Sequence, residues 1–166
     1  MKDTIFIGGL CAIILLVGAG LYFFEPEYAP ARTVGTVAFT SIAEGQYANQ
    51  LDTRTNYRIE TQEELDTLWT LIHGTTRPAL PVVDFEKNEV LAVFNGSHAS
   101  GGYSVKVLEV VDSELLRTVH IEHRSPDESC VTTSVQTSPY ELITLPKMRQ
   151  GLRLAHTDTE AVLACR

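Results

Sequence analysis

Charge is missing from Thr4 to Phe24 (TIFIGGLCAIILLVGAGLYFF). At about 1.5 Å of helical rise per residue, that run spans roughly 31 Å, the thickness of a bilayer's hydrocarbon core. Its length also exceeds the apolar region of a signal peptide, which is about 7–15 residues. The run ends in Tyr22-Phe23-Phe24-Glu25, and aromatic rings suit the headgroup interface. A good cleavage site is wanting: Ala29-Pro30-Ala31 is the nearest imitation, with a proline at its centre. An uncleaved anchor is expected, with a cleaved signal peptide as the alternative. A lipobox is lacking too, because Cys11 follows Leu10 inside the run. Lys2 precedes the span while Glu25 and Glu27 follow it, which places the N-terminus in the cytoplasm and the rest of the chain outside.

Positive charge is in short supply. The 166 residues carry 13 Lys and Arg against 21 Asp and Glu, a net charge of −8. Such a surface repels phosphate backbones and argues against nucleic acid as a partner. Repeats and low-complexity tracts are absent. The organisation expected is an anchor over residues 1–24, an extended proline-containing linker over 25–33, and one domain over 34–166, long enough to bury a core.

Cysteine is scarce, with three in the chain. Cys11 falls in the apolar run, which leaves Cys130 and Cys165 as an even pair. In an oxidising compartment such a pair suggests a disulfide, and closing its loop stabilises by about 3–4 kcal/mol in the chain-entropy model. Two unpaired thiols are the alternative. No further ligand stands beside either cysteine, so no metal is expected there.

Helical signals are also few. Thr61-Gln62-Glu63-Glu64 forms a capping box, and Leu65, Leu68, Trp69 and Ile72 follow at helical spacing on one stripe, with Gly74 as the stop. Most other segments alternate with period two. Strands are expected at Val34–Thr40, Asn56–Glu60, Glu89–Phe94, Tyr103–Val111, Leu116–His123, Val131–Val135, Glu141–Leu145 and Thr159–Ala164. A turn-rich stretch surrounds Glu44-Gly45-Gln46, and Asp112-Ser113-Glu114 makes a hairpin turn. The fold class predicted is α+β: a mostly antiparallel sheet or partial barrel with one principal helix, preceded by a single N-terminal transmembrane helix.

Two stretches carry a resemblance. Val83–Val111 (VDFEKNEVLAVFNGSHASGGYSVKVLEVV) has Asp84-Phe85 before an apolar strand, then Gly96 and Gly101-Gly102-Tyr103 in the following turn. Ser125–Pro146 has a proline-initiated loop containing Cys130, then Thr137-Ser138-Pro139-Tyr140 leading into a strand. In this order and spacing they resemble the C-terminal domain of the PrcB family of protease-complex subunits. The resemblance implies an extracytoplasmic, membrane-associated accessory domain whose partner is a surface protease; it does not imply that the domain is a protease.

Catalytic frames are missing. The glycine-rich loop Asn95–Tyr103 has neither a P-loop lysine nor a following helix, so a bulged hairpin loop with positive-φ glycines is expected. HExxH is absent, and His120 and His123, three apart on a strand, point to opposite faces. No GxSxG elbow frames Ser97, Ser100 or Ser134. No catalytic residue, metal or cofactor is therefore expected. The candidate binding residues are His98 and Tyr103 on the glycine loop, and Pro139 and Tyr140, where proline holds Ser138 extended beside an amphipathic ring. For Pro139 and Tyr140 a place at the start of a strand in the core is the competing reading. The function expected is a membrane-tethered, extracytoplasmic protein-interaction domain. A small-ligand or glycan-binding module is the alternative, and a hydrolase stands third.

Overall fold

The run Val90-Leu91-Ala92-Val93-Phe94 is apolar at every position, and every one of these residues is buried. Successive side chains of a strand point to opposite faces, so such a run needs a covering layer on each side. The computed structural model, which describes residues 35–75 and 77–164, supplies both layers.

Among the described residues, eight strands and one helix occur. They are β1 (Gly35–Thr36), β2 (Thr40–Gly45), β3 (Arg54–Ile59), α1 (Gln62–His73), β4 (Asn88–Asn95), β5 (Ser104–Asp112), β6 (Leu116–Pro126), β7 (Tyr140–Pro146) and β8 (Arg153–Leu163). One sheet has the order β2-β7-β4-β3 and the other β1-β5-β6-β8. Every pairing is antiparallel except β6 with β8, which run parallel from Leu116↔Arg153 to Pro126↔Leu163. A parallel pair needs a crossover. Here the chain visits β7 in the other sheet before returning as β8.

The core has two compartments. Leu91, Val93, Ile143 and Leu145 pack against Val105, Val107, Val110, Val119 and Ile121 of the second sheet. Val90, Ala92, Phe94 and Leu142 pack against Leu65, Leu68, Trp69 and Ile72 of α1. Each fully buried aliphatic side chain contributes roughly 1.5–3 kcal/mol. The helix begins as its sequence indicates. Thr61 Oγ1 accepts from the Glu64 amide at 3.2 Å, while the Glu64 carboxylate accepts from the Glu60 amide at 2.8 Å, one residue upstream of a standard capping box. Gly74, at φ +67°, ends the helix. The Trp69 indole donates to the Pro78 carbonyl at 3.0 Å, which satisfies the polar end of a buried ring.

The α+β expectation is corrected. The domain is mostly β: the single twelve-residue helix is one layer laid on two four-stranded sheets, not the counterpart of one sheet or partial barrel. One sheet with one helix covers only one face, whereas β4 and β7 are buried on both. The predicted transmembrane helix and linker lie outside the described residues, and among those described no helix is long and apolar enough to cross a membrane.

Three local expectations also change. Val131–Val135 forms no strand, and Val131 and Val135 are exposed. The stretch around Glu44-Gly45 is strand rather than turn. A Cβ on Gly45 would lie 2.7 Å from the Tyr140 ring, so the glycine serves close packing. The glycine loop is not a hairpin either: it carries the chain from β4 in one sheet to β5 in the other.

Candidate interaction site

The loop between β4 and β5 begins with Gly96 at φ +78°, where a Cβ would sit 2.9 Å from the Arg54 amide nitrogen. Both facts require glycine. The loop then lies against the segment between β6 and β7. The His98 amide donates to the Thr137 carbonyl at 2.8 Å, and the Thr137 amide returns the bond to His98 at 2.9 Å. Further along, the Gly101 amide reaches the Thr133 carbonyl at 3.0 Å, and the Thr137 hydroxyl donates to the Ser100 carbonyl at 2.8 Å. The Gln136 amide group donates to Ser97 Oγ at 2.7 Å. Within Val131–Val135 the Thr133 carbonyl is spent on the loop rather than on a sheet.

Held this way, His98 and Tyr103 stack with ring centroids 3.8 Å apart and planes 6° from parallel. Both rings are half-buried. Burial pushes the His98 imidazole below its ordinary pKa, and its Nε2 has no hydrogen-bond partner among the described residues. Tyr103 also forms one wall of an open hollow of about 670 Å³, with Asp127, Glu128, Ser129 and Val162 among its other lining residues. The Asp127 carboxylate is held by the hydroxyl and amide of Ser129, which keep it below the usual carboxylate range.

Beneath the stack is a polar cluster that the sequence reading missed. Asn95 Nδ2 donates to the Ser104 carbonyl at 3.2 Å, and its Oδ1 accepts from Arg54 Nη2 at 3.1 Å. With the amide so oriented, His123 Nδ1, 2.8 Å from the same Oδ1, carries the proton. His123 Nε2 lies 3.4 Å from Asp158 Oδ1, an ion-pair separation without hydrogen-bond geometry. Burial, and then the Arg54 charge, push the His123 imidazole below its ordinary pKa. Arg54 also donates to Glu160 at 2.6 Å. One signal was available: if Val119 and Ile121 face inward, period two turns Arg117 and His123 inward as well.

The other two candidate residues are placed differently. Pro139 is buried, and its carbonyl accepts from the Asn95 amide at 2.9 Å. Tyr140 is 6% exposed, and its ring lies 6.0 Å from Phe94 and 6.1 Å from His73. Tyr140 packs in the core with α1. Burial pushes the Tyr140 phenol up from its ordinary value. His120 and His123 do fall on opposite faces of β6, the second fully buried and the first not. Among the described residues no three metal-ligating side chains cluster. Cys130 follows a turn closed by its own amide to the Asp127 carbonyl, and its Sγ is 3.5 Å from the Leu163 carbonyl. Cys165 lies outside the described residues.

The half-buried His98–Tyr103 stack thus sits on a loop of a small β-rich domain, pinned through its backbone to the segment before β7. The family model described as PrcB C-terminal matches residues 90–146. The match covers the stretch from β4 to β7, which holds the loop, the stack and the segment that pins it, and this stretch is similar to the PrcB C-terminal family. No curated protein and no solved structure matches the chain.

Proposed function

We propose that this chain is a non-enzymatic, membrane-tethered interaction domain that binds a protein partner outside the cytoplasm, and that the partner is a protease. The observation that carries the reading is the Tyr103–His98 stack at the rim of an open hollow. Binding energy at protein interfaces concentrates in a few rigid aromatic residues, and this ring is immobilised before any partner arrives. The family match supports association with a protease complex. Affinity capture with the full chain, anchor included, followed by mass spectrometry tests it. An extracytoplasmic protease should be enriched, and its recovery should fall in a folded Tyr103→Ala variant. Enrichment of no protein in a Tyr103-dependent way would overturn the reading.

A small-ligand module is the second reading. A hollow of about 440 Å³ is lined by Tyr47, Asn49, Asp52 and His73, and the buried His73 Nε2 has no hydrogen-bond partner among the described residues. Its Ser138 hydroxyl, however, is spent on the Leu51 carbonyl at 2.8 Å. The extracytoplasmic location belongs to the same proposal, with a Cys130–Cys165 disulfide as its consequence. Non-reducing peptide mapping after rapid alkylation should find that link, and free thiols on both residues would refute it.

A further inference from the structure

We propose that the open hollow beside Tyr103 receives an arginine side chain of the protein partner. The proposal rests on the interaction reading above and names the chemistry that this rim selects.

Two turns build the hollow, and both are fixed. Gly102, at φ +92°, brings the glycine loop against Pro126, where a Cβ on the glycine would lie 3.0 Å from the Pro126 Cβ. Both facts favour glycine. The turn after Pro126 is tied to the end of β8: the Asp127 amide donates to the Leu163 carbonyl at 3.0 Å. It is closed by the Cys130 amide, which donates to the Asp127 carbonyl at 2.9 Å. Tyr103, Asp127, Glu128 and Val162 are thereby set around one space of about 670 Å³.

Charge decides the sign of the occupant. The charged residues of the lining are Asp127 and Glu128, with no cation beside them. Among the described residues neither carboxylate enters an ion pair, and Arg124, the nearest basic residue along the chain, is taken by Glu122. The groove beside α1 and the small hollow beside Gly45 differ, because each carries its own cation, Arg58 in one and Lys106 in the other. One oxygen of Asp127 accepts both bonds from Ser129, the amide at 2.9 Å and the hydroxyl at 2.6 Å. The carboxylate is thus oriented, and its second oxygen is left for a ligand.

Shape then selects among cations. The Tyr103 ring is immobilised, with His98 stacked on it at 3.8 Å. A guanidinium is planar, lies against an aromatic ring and forks its donors towards carboxylates, whereas a lysine ammonium is a strongly hydrated point charge. Val162, 67% exposed on the same lining, offers apolar surface to the methylene stem of an arginine. An aromatic ring, an aliphatic side chain and two carboxylates without a counter-ion together complement the three parts of that one side chain.

The test presents the side chain without the partner. Biotinylated Gly-Ser-Xaa-Ser-Gly peptides, with Arg, Lys, citrulline or Leu at the centre, are tetramerised on streptavidin and bound to the full chain in mild detergent. The Arg tetramer should bind most tightly, Lys less, and the uncharged citrulline and Leu not at all. Asp127→Asn keeps an acceptor for Ser129, and hence the turn. It should weaken Arg binding by about tenfold, because a tetramer multiplies the loss at each site. Glu128→Gln should weaken it less. Glu63→Gln, which removes an exposed carboxylate on α1, should change nothing. An equal loss there would show that the tetramer reads net charge alone, and would overturn the proposal. So would equal binding of Arg and citrulline. Tighter binding to Arg166→Ala would overturn it too, because the occupant would then be the chain's own arginine. If capture of the whole partner needs Tyr103 but is indifferent to Asp127→Asn and Glu128→Gln together, the arginine assignment falls while the interaction reading stands. If Arg tetramers bind through Asp127 but no protein is captured, the preference of the hollow stands and the interaction reading falls.

Discussion

Arg117 and Glu89 meet at 2.9 Å across the two sheets, and neither side chain reaches solvent. Arg117 sits on β6, where alternation would otherwise put an apolar residue. Its guanidinium grips Asp112 with two bonds of 2.7 and 2.9 Å and donates to the Pro146 carbonyl at 2.7 Å. Glu89 is held from its other side by Arg58. A chain of alternating charges therefore runs Arg58–Glu89–Arg117–Asp112 from the edge of one sheet into the other.

Removing one partner of a buried pair leaves an uncompensated charge, which costs about 3–5 kcal/mol. Arg117→Met strands Asp112 and leaves Glu89 with Arg58 alone, so a loss in that range is expected from urea unfolding. Adding Asp112→Asn to Arg117→Met should recover part of it, because the stranded charge is then gone. Equal stability of Arg117→Met and the parent would show that the network contributes nothing.

Trp69 tests the other compartment. It is 4% exposed, packs with α1 on the face of β4, and lies 4.2 Å from His73 ring to ring. Trp69→Ala should destabilise by about 3–5 kcal/mol, the loss of a large buried ring. Trp69→Phe should cost less while still orphaning the Pro78 carbonyl. Thermal melts of the three proteins would give that order if the ring's burial dominates.

The helix that holds Trp69 was legible because its signals are local: a cap, a stripe and a stop lie within fourteen residues of one another, from Thr61 to Gly74. The second sheet was not, although the unbroken apolar run Val90–Phe94 marks β4 as covered on both faces, because nothing local says which strands form the second cover. Val131–Val135 misled for a related reason. Its β-branched composition suits a strand, but Val131 and Val135 stay exposed and the Thr133 carbonyl goes to the glycine loop, a tertiary choice. In the site, His98 and Tyr103 could be picked out as two rings on a glycine loop. Their stacking depends on Thr137 and Thr133, some 30 or more residues away, and could not be read. Tyr140 was ambiguous from the start, and the close approach of Gly45 resolves it towards the core.

Acid should weaken the fold. Burial holds His123 below its ordinary value of 6.5, and His73, His98 and His156 are lowered in the same direction by burial. Below 6.5 the unfolded chain takes up protons that the folded chain refuses. Stability is thus complete above that pH and falls as pH drops towards the folded-state values. Melting temperature should be lower at about pH 5.5 than at about pH 7.5. In His123→Gln, which keeps a polar side chain beside Asn95, the difference should shrink. An unchanged pH dependence would place the uptake on the other histidines.

The stacked pair makes the sharpest functional prediction, because its two residues should not contribute alike. Tyr103 borders the open hollow, whereas His98 backs it and is tied to Thr137 through its backbone. If the rim is a contact surface, Tyr103→Ala should weaken partner capture by about tenfold or more, in the range of an interface hot spot. His98→Ala leaves the backbone bonds in place but frees the tyrosine ring to rotate, so its effect should be smaller and appear mainly as faster dissociation. Ser134→Ala and His120→Ala lie outside the stack and should change nothing. Circular dichroism and melting temperature must first show that each variant is folded. Surface plasmon resonance with the captured partner then separates the cases. Should Ser134→Ala or His120→Ala abolish a measurable activity while Tyr103→Ala keeps it, the rim is not a docking face and the chain is an enzyme.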